Sequence, residues 1–285
     1  LYAFFGADGR LDRGAMRAQV EACVRGGAHG LAALGLATEV SKLTPAERHR
    51  VMAWLAEDLD RRLPFAITVF GETPAIQIAF VREAAALGAS WVILQPPPQR
   101  PLGQDELLRF FGAVADASPL PVAIQNAPQY LGVGLDTAAL RALRRNHPNF
   151  VLLKGEASAV EIARQIEALH CEVAVFNGRG GRELPDILRA GCPRMIPAPE
   201  CFDAQLRIYD ALARGDDDEA DRLYREILPL IVFLMQSVDQ FLCYGKRLTA
   251  RRLGLGAAHD RQPAQAPTPF GLACLERWAK MLGAL

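Results

Sequence analysis

The amino-acid sequence predicts a (β/α)8 TIM barrel, an α/β fold, followed by a C-terminal helical extension. Three observations carry this expectation. Short, continuous apolar runs recur along residues 1–203, a helical pattern separates each from the next, and several helices open on a capping residue or proline and close on glycine. Continuous apolar runs suit strands covered on both faces, and strand–helix alternation at this spacing implies parallel strands joined by crossover helices. Eight such runs favour a closed barrel over an open doubly wound sheet. No G-x-G-x-x-G follows the first run to support the open form.

The runs are residues 1–4, 30–35, 65–69, 91–95, 122–125, 150–154, 173–176 and 195–198. Thr44-Pro45-Ala46-Glu47 is a capping box with proline at the first helical position, so a helix is expected to residue 60. Thr73-Pro74 opens another, ending at Gly88. Helical patterns over 105–117, 136–145, 158–168 and 183–190 follow. Gly27, Gly88 and Gly191 stand just past helix ends, where a left-handed residue is needed. Beyond the last run, 204–214, 216–235, 237–253 and 269–282 read as amphipathic helices, with a Gly/Pro/Ala-rich loop at 254–268. The expected domains are therefore 1–203, the barrel with its site, and 204–285, a helical appendage. Asp216-Asp-Asp-Glu219 reads as an acidic helix start.

Composition narrows the function. The 285 residues set 32 Lys+Arg against 32 Asp+Glu. A chain of zero net charge has no general pull on nucleic acid or anionic membrane, so neither is an expected partner. Hydrophobic residues make up 51%, which excludes disorder of the whole chain. No apolar run reaches the ~18–20 residues of a membrane-spanning helix. No secretory signal opens the sequence, and since Leu1 stands where Met would, an earlier N-terminal segment is expected. The six cysteines, Cys23, Cys171, Cys192, Cys201, Cys243 and Cys274, form no C-x-x-C pair. They read as buried thiols of a reducing compartment, so a cytoplasmic location is expected. The five histidines are scattered, without metal-ligand spacing, and no metal is expected.

Barrel chemistry belongs to the C-terminal strand ends. Lys154 closes the otherwise apolar run Val151-Leu-Leu. Alternation sets it on the face of Leu152, whichever face that is. If that face is interior, desolvation favours a neutral, nucleophilic amine. If not, Lys154 is a strand-end cation reaching solvent. Both readings stand on local sequence.

Four motifs add a resemblance over nearly the whole chain. Asp8-Gly-Arg-Leu-Asp12 matches D-G-x-[IL]-D, and the segment 35–48 matches G-T-T-G-E-x-x-x-L-[TS]-x-x-E-R. Ile124-Gln-Asn-Ala-Pro128 matches L-Y-N-x-P, and Leu153-Lys-Gly-Glu-Ala-Ser158 matches I-K-E-x-S. The sequence thus resembles the dihydrodipicolinate synthase / N-acetylneuraminate lyase superfamily of class I aldolases. The resemblance implies that Lys154 forms a Schiff base with a 2-oxo acid and that no separate cofactor is needed. The departures are informative. The relay tyrosine of the family falls on Gln125, the relay threonine on Ala37, and a carboxylate-binding arginine on Tyr130. Neither glutamine nor alanine shuttles protons as a phenol or hydroxyl does.

The sequence is more similar still to the L-2-keto-3-deoxyarabonate dehydratase-like branch. That branch carries Q-D-A-P, K-x-E and S-E where this chain has Gln125-Asn-Ala-Pro128, Lys154-Gly-Glu156 and Thr38-Glu39. Its late L-P-L-I and K-A-L-x-x-x-G resemble the segments 228–231 and 246–254. The expectation is a lyase, hydro-lyase or aldolase acting on a 2-keto-3-deoxy sugar acid. The alternatives are a 4-hydroxy-tetrahydrodipicolinate synthase-like pyruvate aldolase and a catalytically silent 2-oxo-acid-binding barrel. The expected catalytic residues are Lys154 and Gln125. The expected substrate-binding residues are Ala37, Thr38, Asn126, Asn177, Gly178 and Ile196. Thr38 has turn capping as its other role, Asn126 a structural one, and Ile196 apolar packing. Glu156 orients Lys154, acts as a base, or caps the next helix. A homo-oligomer, tetramer or dimer, is implied by the resemblance.

Overall fold

The structure, a computed structural model, describes residues 1–98, 102–170 and 172–285. Cys171 lies outside the described residues. Two compact units divide the chain. One gathers Leu1–Leu63, Gly180–Pro185 and Pro197–Leu285; the other gathers Pro64–Arg179 and Asp186–Ile196.

In the first unit, Asp12 caps the helix Arg13–Arg25 and the short strand β1 (Leu31–Ala33) follows. Arg13–Arg25 is a helix beyond those expected from the sequence. The Thr44–Glu47 capping box forms as expected and starts the helix Pro45–Leu59. The expected strand at 1–4 does not form a ladder. The Leu1 amino group donates to Ala32 O at 2.8 Å. The Tyr2 N–H goes to Gln19 Oε1 and the Phe4 N–H to Met16 Sδ, so side chains take the bonds a neighbouring strand would make.

The C-terminal part of this unit holds the helices Phe202–Ala213, Asp217–Leu234, Lys246–Arg252 and Pro269–Trp278. Cys201, Leu230, Leu234, Cys243, Tyr244, Leu248, Leu275 and Ala279 pack into one core cluster. The helix expected over 237–253 is interrupted by a π-helical segment, Phe241–Gly245. There the wider turn brings Gly245 against the Tyr2 hydroxyl, where a Cβ would collide. Among the described residues no single helix is long and apolar enough to cross a membrane.

The second unit carries the parallel sheet. Its strands are β2 (Phe65–Val69), β3 (Trp91–Leu94), β4 (Val122–Asn126), β5 (Phe150–Gly155) and β6 (Ala174–Asn177). Each pairs in parallel with the next in chain order. The helices Pro74–Ala86, Gln104–Ala117, Thr137–Asn146, Ala159–Ala168 and Leu184–Arg189 lie between or after them, close to the expected bounds. The stretch after β4 contains one helical turn, Pro128–Leu131. The run at 195–198 makes a single bridge, Asn177 to Met195. Ile196 N–H donates to Asn177 O at 2.8 Å, and then Pro197, which has no N–H, ends the pairing.

One irregularity decides where chemistry can occur. Val122 pairs with Phe150, but Ala123 pairs with Leu152. Val151 is thus a bulged extra residue, and its side chain is exposed. The slip sets Lys154 beside Gln125; without it Leu153 would hold that place and Lys154 would turn to the opposite face.

Candidate active site

Three polar residues end the apolar strands side by side. Gln95 follows β3, Gln125 is on β4, and Lys154 is on β5 in register with Gln125. All three are buried, as is Glu156 just beyond β5. Gln95 Nε2 donates to Gln125 Oε1 at 2.8 Å, and Gln125 Nε2 donates to Glu156 Oε1 at 2.9 Å. Lys154 Nζ donates to the same Glu156 oxygen in a short, charge-assisted bond. Glu156 Oε2 accepts no bond from the described residues. The Glu156 N–H is held by Asn126 O at 3.1 Å, which fixes the carboxylate-bearing turn to the end of β4.

Lys154 is therefore an interior amine, and the solvent-reaching alternative does not apply. Among the described residues its ammonium has one counter-charge in contact, Glu156. A buried ion pair of this kind is held by mutual attraction and satisfied hydrogen bonds. It also gives the amine a proton acceptor within bonding distance, which a nucleophilic lysine needs. Gly178, just after β6, closes over the pair. An alanine Cβ there would lie 2.9 Å from Glu156 Oε1 and 3.1 Å from Lys154 Nζ.

The other expected site residues have different surroundings. Asn126 points its amide at the loop after β4, donating to Leu135 O at 2.9 Å and accepting from Leu135 N at 2.8 Å. Asn177 donates to Ala157 O at 3.1 Å and accepts from Arg179 N at 2.9 Å. Both side chains hold backbone segments that follow strands. Ile196 is half-buried and joins Asn177 through its backbone. In the first unit, the Thr38 hydroxyl accepts from Leu34 N at 2.9 Å and donates to Leu1 O at 2.7 Å, so it fixes the turn after β1. Ala37 is half-buried in that turn.

Gln95 is the residue that sequence reasoning did not single out. Its signal was present: the runs ending at 95, 125 and 154 are each apolar until a final polar residue. Burial pushes the Cys23 and Cys192 thiols up to about 11, which leaves little thiolate near neutrality.

Comparisons with known proteins bear on the family and the fold. The model of the dihydrodipicolinate synthetase family matches residues 1–266. A 4-hydroxy-tetrahydrodipicolinate synthase of Stenotrophomonas maltophilia is 32% identical over 218 residues, 76% of this chain and 73% of the relative. YagE of Escherichia coli K12, named as a candidate 2-dehydro-3-deoxy-D-gluconate aldolase, is 29% identical over 220 residues, 76% of this chain and 72% of the relative. A dihydrodipicolinate synthase of Acinetobacter baumannii, solved with pyruvate, matches with a TM-score of 0.90 at 21% identity, covering 98% of this chain and 96% of that one. The fold class is thus the α/β (β/α)8 barrel with a C-terminal helical part that the sequence predicts.

Proposed function

Because the chain belongs to the dihydrodipicolinate synthetase family, we propose that it is a Schiff-base-forming lyase that dehydrates or cleaves a 2-keto-3-deoxy sugar acid. The observation that carries this reading is the buried Lys154–Glu156 pair at the strand ends, flanked by the neutral amides of Gln125 and Gln95.

In this reading Glu156 takes a proton from the Lys154 ammonium, and the neutral amine attacks the C2 carbonyl of the 2-oxo acid. Loss of water gives an iminium, which draws electron density from C3. Two outcomes follow. Removal of a C3 proton gives an enamine, which expels the C4 hydroxyl as water once that group is protonated. Alternatively, the C4 hydroxyl loses its proton, the C3–C4 bond breaks, and its electrons form the enamine of pyruvate while C4 leaves as an aldehyde. After cleavage the enamine takes a proton at C3 to become an iminium, and hydrolysis of the iminium then frees Lys154 in both cases. Acid–base help of this kind contributes ~10²–10⁴-fold. Glu156, in contact with both Lys154 and Gln125, is the group to hand the proton on. Gln125 offers an amide rather than a cation, which suits a hydroxylated tail better than a second carboxylate.

Ala37 and Thr38 stay in the proposal as binders of the substrate carboxylate, and Asn126, Asn177, Gly178 and Ile196 as residues that shape the site. Assembly into a homo-oligomer belongs to the same proposal; sedimentation tests it. A second reading, a pyruvate aldolase resembling 4-hydroxy-tetrahydrodipicolinate synthase, is favoured by the 32% identity to such an enzyme. A panel of 2-keto-3-deoxy acids, read for pyruvate and for dehydrated 2-oxo products, tests the first reading. Turnover of at least one member is expected. No product from any member, with pyruvate still trapped on the protein, would transfer support to the second reading.

A further inference from the structure

The proposed chemistry leaves Gln95 without a task, yet Gln95 is buried and points its amide into the row that ends on the lysine–glutamate pair. We infer that Gln95 is a positioning residue: it fixes the Gln125 amide so that Gln125 presents N–H, not oxygen, to Glu156. The inference deepens the Schiff-base reading above and rests on it.

The polarity of the row has one consistent solution. An ionised carboxylate only accepts, so Glu156 Oε1 must meet the Nε2 side of Gln125. That turns Gln125 Oε1 towards Gln95, where a donor is required. Gln95 Nε2 is that donor, at 2.8 Å. Gln95 is itself anchored through its backbone. Its N–H donates to Val69 O at 3.1 Å, and its carbonyl accepts from Gln77 Nε2 at 2.9 Å. The same Gln77 nitrogen also donates to Gly71 O at 3.1 Å, so the fully buried Gln77 ties Gln95 to the segment after β2.

Removing the Gln95 donor would leave Gln125 Oε1 as a buried acceptor without a partner. Rotating the amide would recover no bond either, since its oxygen would then face the Glu156 oxygen, acceptor against acceptor. Either result loosens the carboxylate that receives the Lys154 proton. The side-chain bond of Gln95 goes to Gln125, and the bonds to Glu156 come from Gln125 and Lys154, so the effect of Gln95 runs through Gln125.

The test is a double-mutant cycle of Gln95→Leu, Gln125→Leu and both together, read as the first-order rate of borohydride trapping at saturating pyruvate. Gln95→Leu should slow trapping about tenfold, with the half-saturating pyruvate concentration little changed. The double variant should be no slower than Gln125→Leu alone. An unchanged rate in Gln95→Leu, or losses that multiply in the double variant, would overturn the inference. A second measurement uses the unaltered protein with 15N-glutamine. The Gln125 side-chain amide hydrogens should exchange with solvent slowly; free exchange would also overturn it. If unaltered protein is not trapped by pyruvate at all, the Schiff-base reading fails, and amide protection alone then decides whether Gln95 holds Gln125.

Discussion

Gly178→Ala separates chemistry from stability at this site. Gly178 does not have the positive φ that makes other glycines of this chain hard to replace, so alanine suits its backbone. The added methyl would lie 2.9 Å from Glu156 Oε1, 3.0 Å from Lys154 Cε and 3.1 Å from Lys154 Nζ. These are side-chain ends, so they can yield by a few tenths of an ångström. Overpacking costs about 1–3 kcal/mol, and restricting the unfolded chain returns about 0.4–1 kcal/mol, for a net loss of about 0–3 kcal/mol. The amine proposed to react, however, is what moves. A displacement of ~1 Å costs ~10²-fold, so a shift of half that size costs ~10-fold. The assay is the rate of borohydride trapping with pyruvate, alongside thermal unfolding. Gly256→Ala is the control, since a Cβ there meets nothing within 4 Å. Trapping by Gly178→Ala at the unaltered rate would refute the reasoning.

Three other perturbations test neighbouring parts of the account. Glu156→Gln keeps the shape and removes the anion beside Lys154; stopped-flow imine formation should fall ~10²–10⁴-fold, and a smaller loss would mean that another group takes the proton. Asn126→Ala leaves the Leu135 N–H and carbonyl without their side-chain partner, and chemical denaturation should show a loss of about 2–4 kcal/mol. The Arg261 guanidinium holds the Glu47 carboxyl down to about 2, from an ordinary value of 4.5. Because the folded value is the lower one, this stabilisation is fully present above about pH 4.5 and is lost as pH falls to about 2. At one unit per 1.36 kcal/mol the unscreened ceiling is about 3–4 kcal/mol, and solvent screening at this partly exposed pair brings the contribution below it. Glu47→Gln should flatten the stability–pH curve across that window, measured by denaturant titration, and an unchanged slope would contradict the assignment.

Much of this was legible in local sequence, because local chemistry set it. Thr44 and Glu47 cap one helix, Ser158 caps another, and Thr73-Pro74 opens a third, as their residue types require. The apolar runs from 65 to 176 became strands because each is buried on the parallel sheet. What was not legible depends on partners distant in sequence. Residues 1–4 and 195–198 have strand composition, but Gln19, Met16 and Pro197 decide their hydrogen bonds. The face of Lys154 could not be read from β5 alone, because the Val151 bulge appears only in the pairing with β4. The same holds for Asn126 and Asn177. Their amide composition suits substrate hydroxyls, yet in the fold they meet the backbone of Leu135, Ala157 and Arg179. Of the three roles the sequence allows Glu156, its contact with Lys154 favours orienting the amine or acting as a base over capping a helix.

The central claim is that Lys154 is the amine that binds a 2-oxo acid covalently. Reduction with borohydride in the presence of pyruvate, followed by peptide mass mapping, tests it most directly. The account predicts one added pyruvate-derived group, on the peptide containing Lys154, and none in Lys154→Arg. A reduced adduct on another lysine, or no adduct in the unaltered protein, would contradict it.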